Sequence, residues 1–539
     1  MTTASPETPT ASRPSSRHVV LFVVVLVAAR MLASNVGRFS EGDEISIASG
    51  IMSIVRGVPG ESYRYPVQFG YYQLVAALVT LLGGDAARVP IVMSWLSIAA
   101  GVAIPLAGLL SFRDVLTSRE RWLVGLALAA NPIIWMSSRY GNTAVVSVAL
   151  TAGAVAILSN RPALKGEVIA MLLFGAAVTV RADAVLVSGV FLFLLWRNHR
   201  RVVRSLAPLV VTGAIVLGIG LLLRAVDPRM GSVATAVGTH VSAPLKTRFF
   251  DFLIWAVSPL PLFFAGAGLR ELHRERRDLF FLLIAWGLPP LLFYFPSTST
   301  PRYLLQGTLP LVVASAVGML AFVGGRGWRR AASWGTVMAL GFVHVLIGLS
   351  QFTPSSPRSY LKDATMPSDD GPVWTGALLY KSYIQRGMTP RALFRGRFRA
   401  SSGGELGYAS AFDSLRRGAR RGQRVVIANG GGYSNTMHVL ANLAGARVIL
   451  LGTGTGFDRE TEMELGGATI IAIGTSPLRG TTRQLPLRGG DELWVVHRDS
   501  SLALREIEGR VPATVSLEPL PAWTTAPRML RFTVRPQPR

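Results

Sequence analysis

The sequence predicts an α-helical, polytopic membrane protein with a C-terminal α/β domain, and three observations carry that expectation. Half of the 539 residues are hydrophobic, only 16% are charged and the mean hydropathy is +0.40, too apolar for a soluble globule of this length. A dozen apolar runs follow one another through residue 350. Beyond that point short apolar runs alternate with polar, Gly- and Arg-rich stretches, as small α/β domains do.

The formal net charge of +25 is mostly arginine. In a membrane protein such an excess reports topology and attraction to anionic lipid, and no nucleic-acid recognition motif accompanies it. The absence of cysteine excludes disulfides, thiolate metal sites and cysteine nucleophiles.

Residues 1–17 are Ser/Thr/Pro-rich and read as a disordered cytoplasmic tail. His18–Ala33 reads as an uncleaved first span, and Arg13 and Arg17 before it place the N-terminus in the cytoplasm. Further runs fall at 65–82, 86–111, 121–137, 141–160, 166–180, 183–196, 205–223, 250–269, 279–295, 303–323 and 331–350. Three connections are basic: Arg197–Arg204, Arg270–Arg277 and Arg326–Arg330. Alternate runs separate them, so all three are expected in the cytoplasm and everything after residue 350 outside. Six runs lie between the outer loop at Asp43 and the inner loop at Arg197, where parity requires an odd number. The expected resolution is that 166–196, interrupted by Arg181 and Asp183, crosses once or only partly. The expected total is eleven to thirteen spans over 18–350, with 351–539 as the extracytoplasmic domain.

Arg38–Arg56 is the stretch with chemistry in it. Ile47, Ala48, Ile51, Met52 and Val55 share one helical face, opposite Ser46, Ser49, Ser53 and Arg56. Too short to span, the segment is expected to lie in the interface, with Asp43 and Glu44 at its N-terminus where the helix dipole favours ionised carboxylates. A carboxylate at headgroup depth serves either as a cap or as a base toward a substrate anchored in lipid.

Other polar groups gather at span ends. Arg64, Tyr65 and Gln68 precede the second run, and Arg139, Tyr140 and Asn142 lie between two runs. Arg181 and Asp183 interrupt apolar sequence, where a charge costs roughly 3 kcal/mol and is paired or lines a cavity. Arg302 and Tyr303 open a span from outside, against the positive-inside bias, which suits anion binding. In the last domain strands are expected at Arg424–Ala428, Arg447–Leu451, Ala468–Ile473, Leu493–His497 and Met529–Val534, with a helix at 434–444. Gly430–Gly432 and Gly452–Gly456 read as strand-to-helix turns, and Asp491-Glu492 as a solvated strand start.

In order and placement these pieces resemble the GT-C integral-membrane glycosyltransferases, nearest the branch of protein O-mannosyltransferases and lipid A aminoarabinose transferases. The pattern is an arginine late in the first span (Arg30), Gly42-Asp43-Glu44 opening a helix that ends Arg56-Gly57, then Tyr65-Pro66, Arg181-Ala182-Asp183-Ala184 and Arg302-Tyr303-Leu304-Leu305. It covers about residues 18–350. Gln306 stands where a proline commonly follows, and Asn142 where relatives often carry an acid.

The resemblance implies a sugar donor carried on polyprenyl phosphate, transferred with inversion to a glycan, lipid or protein acceptor at the outer face of the plasma (inner) membrane. Asp43, assisted by Glu44, is the implied base, and arginines meet the departing lipid phosphate. Arg64, Tyr65, Gln68, Arg139, Tyr140, Asn142, Arg181, Asp183, Arg302 and Tyr303 are the candidate substrate-binding residues. No cofactor and no metal ligands are indicated, a divalent metal being left open, and membrane lipids rather than nucleic acid are the expected surroundings. The rival readings are a polytopic transporter or flippase, which tends to show internal repeats that this chain lacks, and a polysaccharide polymerase or ligase using lipid-linked substrates.

Overall fold

The computed structural model describes residues 16–33, 42–57, 68–138, 141–160, 162–226, 253, 257, 259–295, 301–323, 330–339, 341, 365–368, 371–374, 421–430, 447–451, 460–465, 467–475, 484–496, 507, 509–520 and 529–537. Among these, Arg30 and the apolar runs become helices: α1 Ser16–Ala33, α2 Gly42–Arg56, α3 Phe69–Leu81, α4 Val89–Leu110, α5 Ser118–Ala130, α6 Pro132–Ser137, α7 Thr143–Ser159, α8 Leu164–Val180, α9 Ser188–His199, α10 Val202–Val226, α11 Pro259–Glu275, α12 Arg277–Tyr294 and α13 Leu305–Val323. Residues 330–339 are helical as well. By length and composition four elements are long and apolar enough to cross a membrane alone: Ala86–Leu110, Val202–Val226, Arg277–Tyr294 and Leu305–Val323. The chain is a multi-pass membrane protein.

Polar contacts between helix ends fix the direction of each pass. Asn160, closing α7, donates to Leu110 O at 2.9 Å and accepts from the Arg113 amide at 3.1 Å, so α4 and α7 finish at the same end of the bundle. Arg197 near the end of α9 donates to Ser159 O at 2.6 Å, which brings α9 to that end too. Glu167, in the first turn of α8, meets His199 in the last turn of α9 at 3.0 Å. Arg276, between α11 and α12, bridges to Glu120 at the start of α5 at 3.0 Å. These ties gather the arginine-rich connections at 197–204 and 270–277 at one pole, called here the basic end.

The Glu167–His199 contact overturns the expectation for 166–196. The start of α8 lies beside the end of α9, so the two are antiparallel and form a hairpin whose tip is the 3-10 segment Ala182–Val187. The element that does not cross is α3. Its first turn lies at the far end, where a Cβ on Gly70 would sit 2.2 Å from Thr179 Oγ1 near the end of α8, and Phe69 packs toward Gly220 near the end of α10. Its last turn reverses through Gly83 (φ 104°) and Gly84 (φ 70°) into α4, which starts at the far end. With α3 lying along the far end, parity holds with the basic connections at one pole.

The passes lock where small residues let backbones meet. On α11 and α13, a Cβ at Gly268 would sit 1.8 Å from Ala314 O, and one at Gly318 would sit 2.3 Å from Phe264 O. Such close approach substitutes dispersion contact for the hydrophobic drive that lipid does not supply.

The C-terminal strands form a seven-stranded mixed sheet, order β4-β5-β6-β3-β7-β9-β8, built from β3 Arg424–Gly430, β4 Arg447–Leu451, β5 Glu460–Leu465, β6 Ala468–Thr475, β7 Glu492–Val496, β8 Val515–Leu520 and β9 Met529–Pro536. A separate hairpin pairs β1 Thr365–Ser368 with β2 Gly371–Trp374. The central β3 is parallel to both β6 and β7, and every other pair in the large sheet is antiparallel. All five expected strands form within a residue or two. Segment 434–444 and both glycine turns beyond Gly430 lie outside the described residues.

Asp491-Glu492 is not solvated. Asp491 is buried, accepts from the Arg488 amide at 2.8 Å and pairs with Arg424 from the neighbouring β3. Glu492 accepts from Trp494 Nε1 and from Arg531 of β9, both at 2.9 Å. The reason is position: β7 runs between two strands that each bring an arginine. Burial holds the Asp491 carboxyl above its usual range against these bonds, whereas for Glu492 the Arg531 and Trp494 bonds outweigh burial and hold it below.

Because the chain has no cysteine, single-cysteine variants test the topology without a background. A membrane-impermeant thiol reagent is expected to label Arg56→Cys and Leu82→Cys from one side of a sealed vesicle and Arg200→Cys from the other. Labelling of positions 56 and 82 from opposite sides would make α3 a crossing helix.

Candidate functional site

At the far end, segments distant in sequence meet. The hairpin tip Ala182–Val187 packs on the end of α12 and on α7, and the 3-10 segment Pro301–Leu304 touches α12, α6 and α7. Arg181 holds Asp183 with two parallel bonds, Nε to Oδ1 at 3.0 Å and Nη2 to Oδ2 at 2.6 Å. The Tyr294 hydroxyl donates to the same Oδ2 at 2.5 Å. Tyr294 then stacks on Tyr303, ring centroids 5.3 Å apart and planes within 10°, while the Arg181 guanidinium lies 5.3 Å from the Tyr303 ring centre. Three segments are thereby held by one carboxylate and one cation. Sequence reasoning missed Tyr294, whose signal was its place at the end of an apolar run just before Pro296.

This geometry changes what Arg181 and Asp183 do. Their charges answer each other, and both side chains are largely covered, 11% and 14% exposed. Tyr303 is engaged, and the backbone of Arg302 stands one residue before it, in the same 3-10 turn. The Arg302 side chain lies outside what is described, as do Arg64, Tyr65, Arg139 and Tyr140 entirely.

Asn142 is buried and structural in its contacts. Its Oδ1 caps α7 by accepting from the Ala144 amide at 2.8 Å, and its own amide donates to Ser97 Oγ at 2.8 Å. Gln306 lies one turn below Tyr303, buried, with Nε2 donating to Thr151 of α7 at 3.3 Å. Among the described residues neither its Oε1 nor the Oε1 of Gln68, half-buried just before α3, has a hydrogen-bond partner.

Arg30, singled out only through the resemblance, is buried near the end of α1. It donates to Ser138 Oγ at 3.1 Å and Ala129 O at 3.2 Å, and its guanidinium lies 3.8 Å from the Trp135 ring centre. Among the described residues no carboxylate pairs with it. A cation–π face and two oxygen acceptors take the place of an acid.

Asp43 and Glu44 occupy the first turn of α2, as the sequence indicates, and their side chains are not described. The expected polar face of this helix is corrected. Ser49 and Ser53 are as buried as Ile47, Ala48, Ile51 and Met52, and among residues 47–57 only Arg56 and Gly57 are fully exposed, Ser46 lying outside the described side chains. The reason is that α2 is covered by α3, by the 3-10 segment Ala86–Arg88 and by the start of α4. Gly50 lies against Tyr72, where a Cβ would come within 2.7 Å of the ring. Ser53 satisfies its hydroxyl inside the helix by donating to Ser49 O at 3.1 Å. Gly57, with φ 64°, ends the helix in the left-handed conformation that glycine adopts without strain. Asp43 and Glu44 thus belong to the first turn of a clamped helix.

This helical bundle, with an acid-headed helix clamped at its far pole and a C-terminal mixed sheet, has an ArnT-like fold. The chain superposes on ArnT from Cupriavidus metallidurans bound to undecaprenyl phosphate with a TM-score of 0.60, over 96% of this chain and 98% of that one, at 13% identity. The apo state of the same ArnT gives 0.58 over the same shares, also at 13% identity. An oligosaccharyltransferase from Archaeoglobus fulgidus tethered to an acceptor peptide overlaps over 79% of this chain and 63% of that one, at 12% identity and a TM-score of 0.48. No family model and no curated protein sequence matches the chain. The likeness to ArnT extends past residue 350, so the C-terminal region belongs to the shared fold, which the motifs alone did not reveal.

The far-end cluster makes a graded stability prediction. Tyr294→Phe removes one bond to a charged group, roughly 1.5–3 kcal/mol. Asp183→Ala strands a largely buried arginine and is expected to cost more, roughly 3–5 kcal/mol. Arg181→Met combined with Asp183→Leu is expected to recover most of that loss. Thermal unfolding of detergent-purified protein reads all three, and an Asp183→Ala loss no larger than that of Tyr294→Phe would contradict the arrangement.

Proposed function

We propose that the protein is a glycosyltransferase that moves a sugar from a polyprenyl-phosphate carrier to a hydroxyl acceptor at the outer face of the membrane. The observation that carries this reading is the whole-chain likeness to ArnT, whose structure holds undecaprenyl phosphate. The polarity of the bundle supports it, since Asp43, Arg181, Asp183, Asn142 and Arg302 all belong to segments at the end opposite the arginine-rich connections. By the positive-inside bias that end faces out, with the N-terminus in the cytoplasm and residues 351–539 outside.

In this mechanism Asp43 accepts the proton of the acceptor hydroxyl as its oxygen attacks the anomeric carbon from the face opposite the phosphate. The anomeric C–O bond to the carrier breaks and its electron pair leaves on the lipid phosphate, so configuration inverts. Arg302, with Arg139 and Arg64, meets that developing charge, bidentate contact to phosphate being what the guanidinium fork favours. Lys246 and Arg248 are the reserve cations for this role. The Arg181–Asp183–Tyr294–Tyr303 cluster acts indirectly: it fixes the 3-10 turn that carries Arg302. Gln68 lines the approach, Asn142 holds the start of α7, Glu44 supports the field of Asp43, and a polyprenyl chain enters laterally from lipid.

Asp43→Asn decides the matter. Asparagine keeps the size and still serves the helix N-terminus, so a capping role predicts only a small stability change. A base role predicts loss of transfer by the ~10²–10⁴-fold typical of general-base removal, with expression and folding intact. Glu44→Gln is expected to do less, since the next residue on a helix points about 100° away. The assay follows labelled polyprenyl-phosphate sugar in membranes and with purified protein. Near-normal turnover by Asp43→Asn would place the base elsewhere.

A further inference from the structure

A groove of about 360 Å³ opens at the basic end of the bundle, on the opposite side of the membrane from the proposed chemistry, between α9, α10 and α12. α9 forms its floor, packing against both α10 and α12. It runs from Gly189, which touches α12 where a Cβ would stand 3.2 Å from Ala285 O, past Phe193 to Trp196, two helical turns or about 10 Å. The lining is apolar but for Ser205, whose hydroxyl is already used in donating to Arg201 O at 2.8 Å. Nothing polar is therefore left in the groove to bind a hydrophilic ligand.

Its mouth is the reverse. The chain turns from α9 into α10 at Arg200, a non-glycine residue with φ 55°, and this turn carries Arg200, Arg201 and Arg204, all exposed. Among the described residues none of the three has a carboxylate partner, and the nearby acid, Glu167, is taken by His199. Trp196 and Leu206, both groove-lining, flank these arginines in sequence, so the apolar slot ends at a cationic rim.

We infer that this groove seats one anionic phospholipid from the leaflet at the basic end, an acyl chain lying along α9 and the phosphate held by the rim arginines. Apolar lining alone would accept any acyl chain. The unpaired rim selects a lipid with net negative charge, and the tryptophan at the boundary sits at headgroup depth, where its amphipathic ring is favoured. The inference stands or falls independently of the glycosyltransferase reading, because the site is at the other pole.

The test is native mass spectrometry on the full detergent-purified chain, titrated with phosphatidylglycerol or with phosphatidylcholine of the same acyl composition. One phosphatidylglycerol per chain is expected to bind in preference to phosphatidylcholine. The variant Arg200→Asn/Arg201→Gln/Arg204→Gln alters exposed residues only and keeps a side chain that tolerates the left-handed turn. It is expected to lose the preference, by about fivefold per arginine, the fold-change of roughly 1 kcal/mol per basic residue near an anionic surface. Leu206→Trp, at a part-exposed lining position, is expected to lower binding of both lipids. Equal binding of the two lipids by the wild-type chain, a preference that survives the triple substitution, or displacement of the lipid by soluble glycerol phosphate would each overturn the assignment.

Discussion

A guanidinium set among apolar residues must find partners for its charge and its donors, and Arg181 finds a carboxylate two residues along its own chain. That requirement shapes the far end of the molecule. Bringing Asp183 within reach needs the tight 3-10 turn at Ala182–Val187, which ends α8 and reverses the chain into α9. The carboxylate has acceptor capacity left after two bonds from arginine, and Tyr294 takes it, tying in the end of α12. The Tyr294 ring then provides the face on which Tyr303 stacks, and the segment carrying Arg302 is held. A charge whose exposure to lipid costs roughly 3 kcal/mol thereby becomes the joint of three segments.

The opposite pole is joined by weaker, more local means. Glu120 closes a capping box with Thr117 and bridges to Arg276, and Glu167 meets His199. These contacts staple neighbouring connections and leave many arginines free for the leaflet. The two ends thus divide the labour: paired charge and aromatic stacking where chemistry is proposed, open positive charge where the bundle meets lipid. Arg30 shows a second way to hold a buried guanidinium, on an indole face with hydroxyl and carbonyl acceptors.

Much of this was legible in sequence, because lipid leaves the backbone few options. Where the apolar runs fall on described residues they are helical, and pairing with Asp183 is one of the two readings that the cost of a lone Arg181 allows. What misled was the choice of the run that does not cross: 166–196, interrupted by charge, is a hairpin. Phe69–Leu81 is as apolar as a span, yet its two ends are set by Thr179 and by Gly83-Gly84, which only tertiary contact reveals. The serine face of α2 failed similarly: amphipathicity reports a helix half-covered by protein, and α2 is covered on both sides. In the sheet, β5 reads ETEMEL and β8 contains Pro519, so neither looks like a strand. β8 tolerates its proline because it lies at the sheet edge. Tyr294 was hidden because an aromatic at a span boundary ordinarily means only an interfacial belt.

Lipid-linked phosphate is proposed to be handled at the pole built by α2, the Ala182–Val187 tip and the Pro301–Leu304 turn. The most direct measurement is photocrosslinking with an undecaprenyl-phosphate analogue that carries its reactive group beside the phosphate, followed by peptide mapping. Crosslinks within residues 42–57, 181–187 and 301–304 are the predicted result. Crosslinks confined to the basic connections at 197–204, 270–277 and 326–330 would contradict it.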